Sequence, residues 1–285
     1  MSHQNNANPD KGKIFKQLHH NGNLVVLPNV WDPLSAMLLE SLGYPAVATA
    51  SASIALSNGY RDGEKIPFEE VLVILKKIVN SVNIPVSADI ESGYAKNKAE
   101  LEENMKKLID TGIVGINFED SSHPENKLIA TKDQCEKISI IKKVGMEKGS
   151  PLFINARSDV YLRWGNLSEE EKLLKTIERG KAYKDAGADG FYPIIVREKQ
   201  SIESIVKEVG LPVNIILLPG THDFETLKNM GVSRLSLGPG FLKTAINAMK
   251  NIAGKLLAYE GINEITNNPV SSDYLNDLIS KKYIK

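Results

Sequence analysis

The sequence predicts an α/β protein with the (β/α)8 architecture of a TIM barrel, because short β-rich runs alternate with longer helical runs along its 285 residues. The short runs are continuously apolar, as expected for parallel strands that are covered on both faces. A doubly wound open sheet is the alternative, but no Gly-x-Gly-x-x-Gly motif follows a strand, so a dinucleotide-binding fold has little support. The predicted strands are Leu24–Pro28, Ala46–Ala50, Val86–Asp89, Gly115–Glu119, Leu152–Ala156, Gly190–Pro193, Val213–Leu218 and Arg234–Leu237.

Amphipathic patterns and stop signals mark the helices. Val71 and Leu75 recur at helical spacing, Ser168 opens a capping box, and Gly112 and Gly187 follow helical runs as stop residues. The predicted helices are Phe68–Val82, Lys98–Thr111, Ser168–Ala186, Asp223–Met230, Phe241–Ala258 and Asp273–Ile284.

The pattern predicts one domain over residues 1–285, with the barrel at about 20–258 and a helical extension over 259–285. Within the extension, Gly261–Ser272 is turn-rich. A barrel needs only its eighth helix after the eighth strand, so the surplus segment is available to pack on a neighbouring subunit.

Composition excludes several classes of protein. The formal net charge is +0, so no basic excess favours nucleic acid or anionic lipid. The single cysteine, Cys135, cannot form an internal disulfide and fits a reducing compartment. Residues 1–13 are polar, without the apolar centre of a signal peptide, and no apolar stretch reaches the roughly 20 residues that span a bilayer. We therefore expect a cytoplasmic enzyme or binding protein.

Charged side chains follow three of the predicted strands. Asp89 and Glu91 come at the end of the third strand, Glu119 ends the fourth, and Arg157 and Asp159 follow the fifth. Acids gathered at one edge of a sheet repel each other unless a metal or a proton compensates. Oxygen ligands of this kind suit Mg²⁺ or Mn²⁺, which makes an enzyme the first hypothesis.

The barrel geometry brings these residues together, because the carboxyl ends of all eight strands open on the same mouth. On that rule the residues expected at the mouth are Trp31, Ser51, Ser53, Asp62, Asp89, Glu91, Glu119, Asp120, Arg157 and Asp159.

Six phrases, in order from about Leu24 to Gly240, resemble the isocitrate lyase/phosphoenolpyruvate mutase superfamily. They are Pro28–Pro33, Thr49–Ser53, Gly59–Gly63, Ala88–Tyr94, Asn117–Asp120 and Asn155–Asp159. The resemblance implies a (β/α)8 barrel that binds Mg²⁺ or Mn²⁺ and acts on a small 2-oxo or 2-hydroxy carboxylate. It also implies a terminal helix swapped between subunits of a homo-oligomer, a dimer or a tetramer.

The resemblance also assigns roles to individual residues. Asp89 matches the direct metal ligand, and Arg157 matches the arginine that binds a substrate carboxylate. The acids that hold the water ligands of the metal are matched by Asp62, Glu91 and Glu119, with Asp62 also facing the substrate. The substrate pocket is matched by Trp31, Ser51, Ala52 and Ser53. We expect Arg157, Glu119 and His123 to carry the catalysis, with His123 handling a proton.

The loop after the fourth strand departs from the family. Lyases carry Lys-Lys-Cys-Gly-His or Lys-Arg-Cys-Gly-His there, but this loop reads Ser121–Lys127, and Cys135 lies beyond it on a predicted helix start. This argues against isocitrate or methylisocitrate lyase activity. The Lys-x-Asn phrase of the mutase branch is absent in register, although Asn126 and Lys127 are nearby.

Less specific interpretations stand beside these. Arg157 could pair with Asp159 or Glu119 as a structural bridge, and Trp31 could belong to the core. His222 follows the seventh strand in a phrase that helix capping also explains, and Leu237–Gly240 favours a tight turn over a phosphate site.

The leading hypothesis is a Mg²⁺-dependent lyase that cleaves a C–C bond or decarboxylates next to the oxo or hydroxy group, through an enolpyruvate-like intermediate. Carbon–phosphorus chemistry of the phosphonomutase or phosphonopyruvate hydrolase type is the alternative. A non-catalytic barrel that binds a metabolite is a third. A Schiff-base aldolase has less support, because no predicted strand contains a lysine.

Overall fold

The computed structural model describes residues 9–123 and 125–280. Its strands are β1 (Val25–Leu27), β2 (Asn29–Val30), β3 (Val47–Thr49), β4 (Val86–Asp89), β5 (Gly115–Glu119), β6 (Ser121–Ser122), β7 (Lys127–Leu128), β8 (Phe153–Ser158), β9 (Gly190–Pro193), β10 (Asn214–Ile216) and β11 (Arg234–Ser236). Three predicted strands have the observed bounds of β4, β5 and β9. The first predicted strand, Leu24–Pro28, corresponds to β1, and β2 continues the same run beyond Pro28.

The parallel strands close into a barrel within the described ranges. One series runs β2-β3-β4-β5-β8-β9, and the other runs β1-β11-β10. A parallel bridge between Phe191 and Val213 joins the β9 and β10 ends of these series. Since β1 and β2 are parts of one run, the ring is complete, and the predicted (β/α)8 fold is confirmed. The hairpin of β6 and β7 lies in the loop after β5.

Helices cover the outside of the barrel. They are α1 (Pro9–Leu18), α2 (Pro33–Ser41), α3 (Ser51–Ser57), α4 (Phe68–Ser81), α5 (Lys98–Asp110), α6 (Thr131–Glu147), α7 (Val160–Arg163), α8 (Glu169–Asp185), α9 (Lys199–Val209), α10 (Phe224–Asn229), α11 (Gly240–Leu257), α12 (Ile262–Thr266) and α13 (Ser272–Ser280). Most ends of the predicted helices agree with the observed ends to within one residue, because the sequence contains recognisable capping and stop residues. Ser168 and Glu171 form the capping box of α8. The last four residues of the predicted helix Asp273–Ile284 lie outside the described residues.

The helix α4 shows how the apolar pattern fixes an element on the barrel. Val71, Leu72, Leu75 and Ile78 all lie on its buried face. Burial of each such side chain contributes about 1.5–3 kcal/mol to the transfer free energy, so this face anchors the helix on the barrel.

The amino-terminal helix α1, which the sequence reasoning missed, closes the bottom of the barrel. Its Phe15 is fully buried and meets Phe153 edge-on, with ring centroids 5.4 Å apart. A Cβ atom on Gly115 would lie 2.8 Å from the Phe15 ring, so the close approach requires glycine at the start of β5.

The carboxyl-terminal helices follow two patterns. Helix α13 packs on α2 of the same chain, with Leu278 buried. Helix α11 leaves apolar side chains exposed, among them Met249 at 65% and Leu257 at 85%. Across the described ranges, no helix combines the length and the apolarity that a bilayer span requires.

Candidate active site

The carboxyl ends of β4, β5 and β8 open on a cavity of about 220 Å³. Its lining residues are Ser51, Asp62, Gly63, Glu91, Glu119, His123, Asn126, Arg157, Leu162 and Arg163. Six residues that the sequence placed in the site are therefore together, although they come from five separate segments of the chain. Glu119 and Arg157 face each other because they are register partners on β5 and β8.

Asp89 ends β4 beside this cavity. Its Oδ2 atom accepts hydrogen bonds from the Ser51 hydroxyl at 3.2 Å and the Ser51 backbone N–H at 3.4 Å. Burial raises the pKa of Asp89 to about 6, against the opposing charge of Arg157 and with a contribution from Glu119. This carboxylate is held in place with a charge that the protein only partly compensates.

Glu91 is buried under the cavity in a backbone conformation that side chains rarely adopt, with φ of +51°. Both carboxylate oxygens accept from the backbone N–H of Glu64 at 2.9 Å, and Oε1 also accepts from the Tyr94 hydroxyl at 3.0 Å. Burial, followed by the charge of Asp62, raises the pKa of Glu91 to about 8. Negative charge is thus concentrated here beyond what the neighbouring donors stabilise.

Glu119 joins the two basic residues of the site. Its Oε2 lies 2.7 Å from Nη1 of Arg157, and its Oε1 lies 2.7 Å from Nε2 of His123. The hydrogen bond to Glu119 raises the pKa of His123, which favours the protonated ring. The same Nε2 atom also lies 3.6 Å from Oε2 of Glu91, which is within ion-pair distance but too far for a hydrogen bond.

Arg157 is oriented by Asp159. Its Nε donates to Oδ1 of Asp159 at 2.7 Å, and its Nη2 donates to Oδ2 at 3.2 Å. A guanidinium has five N–H bonds. Asp159 takes two of them and Glu119 one, so two terminal N–H bonds remain for a ligand. The structural bridge and a carboxylate-binding role are therefore compatible.

Asp120 is a correction to the expected set of mouth residues. It is fully buried on the opposite face of the strand from Glu119. There it accepts from Arg179 at 3.0 Å, from the Tyr183 hydroxyl at 2.7 Å and from the backbone N–H of Asp159 at 2.8 Å. Asp120 thus fixes the segment that carries Asp159 and has no access to the cavity.

Comparison with known proteins identifies the family. The family model for phosphoenolpyruvate phosphomutase matches residues 15–257. The chain belongs to the phosphoenolpyruvate phosphomutase family. It is therefore an enzyme of the isocitrate lyase/phosphoenolpyruvate mutase superfamily, the group that the sequence phrases resemble.

Individual relatives span several reactions. An uncharacterized protein of Mycobacterium tuberculosis is 33% identical over 224 residues, which cover 79% of this chain and 81% of the relative. Oxaloacetate decarboxylase of Pseudomonas entomophila is 26% identical, covering 82% and 80%. A solved structure from Burkholderia cenocepacia J2315, provisionally assigned as a phosphonomutase, is 34% identical with a TM-score of 0.80, covering 86% of this chain and 98% of that one.

Three residues that the resemblance assigned to the substrate pocket, Trp31, Ala52 and Ser53, do not line this cavity. Trp31 lines a separate, mostly apolar cavity of about 370 Å³ between α2 and α13. Ala52 and Ser53 are on α3 behind Ser51 and do not line the mouth cavity, and the Ser53 hydroxyl has no partner among the described residues. Cys135 lies on α6 and donates to the Ala182 carbonyl at 3.4 Å, away from the cavity.

Sequence reasoning did not include four residues that line the cavity: Gly63, Asn126, Leu162 and Arg163. Asn126 was noted only for its place in the loop. Arg163 lies on the short helix α7, which follows the strand that carries Arg157. Its Nε donates to the Ser121 hydroxyl at 3.1 Å. Arg163 could have been predicted from the sequence, because it is a second basic residue, after Arg157, in the segment that follows one strand.

Proposed function

We propose that this chain is a Mg²⁺- or Mn²⁺-dependent lyase that cleaves a C–C bond, or decarboxylates, next to the oxo or hydroxy group of a small 2-oxo or 2-hydroxy carboxylate. The observation that carries the proposal is the meeting of Glu91, Glu119, Asp62 and Arg157 around one small cavity, with Asp89 beside it. A cavity of about 220 Å³ suits an acid of a few carbon atoms.

The donor set fits a divalent cation that keeps most of its water ligands. All the acids offer oxygen, and their mutual repulsion contributes to the raised pKa values of Asp89 and Glu91. Among the described residues no three His, Cys, Asp or Glu side chains form a cage around one point. That arrangement agrees with Mg²⁺, which takes one or two carboxylates directly. Asp89 would bind directly, with Asp62, Glu91 and Glu119 holding the waters.

The residues of the chain then have separable tasks. Arg157 holds the substrate carboxylate through its two remaining N–H bonds. A bound divalent cation would supply Lewis-acid polarisation of the oxo group. Cleavage of the bond next to that oxo group would leave the electron pair of the broken bond on an enolpyruvate-like fragment. His123, which is oriented by Glu119 and whose pKa that hydrogen bond raises, is placed to give a proton to carbon.

A solved relative supports the choice of ligands. A phosphonopyruvate hydrolase with a TM-score of 0.82 and 20% identity, covering 96% of both chains, was solved with oxalate and Mg²⁺. We extend to this chain the use of Mg²⁺ and of a small oxo acid.

We also propose a cytoplasmic homo-oligomer, a dimer or a tetramer, since the exposed apolar side chains of α11 offer a surface to another subunit.

Carbon–phosphorus chemistry is the second candidate. Two observations favour it: the matching family model is that of phosphoenolpyruvate phosphomutase, and Asn126 brings an amide into the cavity. The same metal set and Arg157 would serve, and the substrate would carry a phosphonate in place of the second carbon substituent.

The deciding experiment incubates the protein with oxaloacetate, 2-methylisocitrate or phosphonopyruvate, with and without Mg²⁺, and measures pyruvate. Because oxaloacetate also decarboxylates in free solution, Asp89→Ala protein under identical conditions is the control. Turnover of oxaloacetate or 2-methylisocitrate supports the lyase, and turnover of phosphonopyruvate alone supports the second candidate.

A non-catalytic, metabolite-binding barrel gives a different result. Such a protein would bind Mg²⁺ in calorimetry and lose that binding in Asp89→Ala, but it would turn over none of a broad panel of oxo acids. Absence of Mg²⁺ and Mn²⁺ binding by the wild-type protein would contradict the metal-dependent proposal itself.

A further inference from the structure

Glu64 makes hydrogen bonds in both directions between two loops of the mouth. It belongs to the rim loop, residues 58–67, which connects α3 to α4. Its backbone N–H donates to both carboxylate oxygens of Glu91 at 2.9 Å. Its own Oε1 accepts from the Ser92 N–H at 3.1 Å, the Ser92 hydroxyl at 2.7 Å and the Tyr94 N–H at 2.9 Å.

The partner loop is shaped to receive this carboxylate. Glu91, Gly93 and Tyr94 have φ values of +51°, +101° and +53°. A turn that aims successive backbone N–H groups at one point forms an anion-binding nest, and here the N–H groups of Ser92 and Tyr94 both donate to Oε1 of Glu64. Glu91 and Tyr94 are not glycine, so positive φ angles strain their backbone. Such strain persists only where surrounding contacts stabilise it. The Glu64 carboxylate occupies the nest and supplies those contacts.

The rim loop also reaches the next loop around the mouth. A Cβ atom on Gly63 would lie 3.5 Å from Nδ1 of His123, so the backbone at Gly63 approaches the imidazole closely. Asp62 and Gly63 both line the cavity. Docking of Glu64 therefore fixes the cavity wall that carries Asp62, at the same time as it fixes Glu91.

We propose that Glu64 is a positioning residue: its carboxylate in the 92–94 nest holds the rim loop closed over the cavity and so aligns Asp62 and Glu91 for the divalent cation. The part that concerns the cation rests on the proposed function. Because coupling between two sites is reciprocal, a cation that binds the aligned acids also stabilises the closed rim loop.

Hydrogen exchange of the metal-free protein tests the loop contact by itself. Glu64→Ala is expected to speed exchange about ten-fold or more in peptides covering 58–67 and 90–95, because it removes three hydrogen bonds to one carboxylate. Glu64→Gln keeps an oxygen acceptor and should stay near wild type. The matched control is Glu70→Ala, which loses a single exposed bond from Tyr60 of the same loop.

Ser92→Ala gives a second route should Glu64→Ala fold poorly. It removes the shortest of the three bonds and leaves Glu64 intact, so a smaller acceleration in the same peptides is expected. Unchanged exchange in both Glu64→Ala and Ser92→Ala would overturn the loop contact, whatever the protein does with metal.

Calorimetric titration with Mg²⁺ or Mn²⁺ tests the alignment of the acids. Glu64→Ala should weaken cation affinity roughly ten-fold, and Glu64→Gln should restore most of it. A cation affinity equal to wild type in Glu64→Ala, with exchange accelerated, would overturn the positioning role. A wild-type protein that binds neither cation would instead overturn the proposed function and the coupling together, with the exchange result still deciding the loop contact.

Discussion

The two ends of the barrel hold ionisable groups in opposite ways. At the bottom, His19 is buried against Phe153, with ring centroids 4.3 Å apart, and burial followed by the charge of Arg234 lowers its pKa to about 3. At the mouth, burial raises the pKa of Glu91 to about 8. Low dielectric disfavours the charged form in both places, but at the mouth three further acids, Asp62, Asp89 and Glu119, also raise the pKa of this one carboxylate. The bottom is therefore a stabilising end, and the mouth has the charge excess of a ligand site.

Among the substitutions that test this difference between the two ends, a change at Arg157 is expected to have the largest effect. Arg157→Met should reduce turnover of the accepted acid by roughly 10³-fold and abolish oxalate binding, because the carboxylate anchor is lost. It should also lower the free energy of unfolding by about 3 kcal/mol, since Glu119 and Asp159 lose their partner. Arg157→Lys separates the two effects, because it keeps the charge but not the paired geometry. Oxalate affinity retained in the Met variant would contradict the assigned role.

A change at the bottom should affect stability alone. Phe15→Ala is expected to lower the free energy of unfolding by about 3–5 kcal/mol, because it leaves a cavity against Phe153 and Gly115. Urea denaturation measures this change. Mg²⁺ affinity of the folded variant should equal that of wild type, and a large loss of affinity would show that the two ends are not independent.

The pH dependence at the mouth has a defined sign. The pKa of Glu91 is raised in the folded protein, so the folded state holds the extra proton between about pH 4.5 and 8. Its contribution to stability is complete below that window and is lost as pH rises through it. The thermal midpoint of chelator-treated wild-type protein should therefore fall as the pH rises through this window. In Glu91→Gln this fall should be smaller by at least about 3 °C. An unchanged slope would contradict the raised pKa.

The bottom should show the opposite sign. The pKa of His19 is lowered, so the unfolded chain binds the extra proton between about pH 3 and 6.5, and stability rises with pH across that range. His19→Gln should flatten the acid side of the stability curve and leave the pH 7–8 region unchanged. Thermal midpoints in a series of buffers measure both windows, and an effect of His19→Gln above pH 7 would contradict the assignment.

The smallest effect is expected at Cys135. Its thiol lies in a groove between α6 and α8, outside the mouth, and burial raises its pKa. Cys135→Ser should leave turnover and cation affinity within about two-fold of wild type, because the thiol touches no residue of the site. A loss of activity beyond ten-fold would contradict the placement of the thiol outside the site.

The position of Asp120 shows what a closer use of the sequence could have found. Side chains alternate between the two faces of a strand. Glu119 and Asp120 are neighbours, so when Glu119 faces the barrel interior, Asp120 faces the covering helices. Asp120 pairs there with Arg179 and Tyr183. Applied to this pair, the period of two would have excluded Asp120 from the expected mouth residues without any tertiary contact.

The sequence by itself determined the order of the eight barrel strands, the helices with the clearest apolar pattern, the glycine stops, and the meeting of Glu91, Glu119 and Arg157 at the mouth. Those features depend on local periodicity and on one rule, that parallel strands end at the same edge. The tertiary structure decided that Asp159 orients Arg157, that Trp31 lies under α13, and that Glu64 joins two loops. These contacts depend on side-chain direction and on loops brought together by the closed barrel, for which hydrophobic periodicity carries no signal.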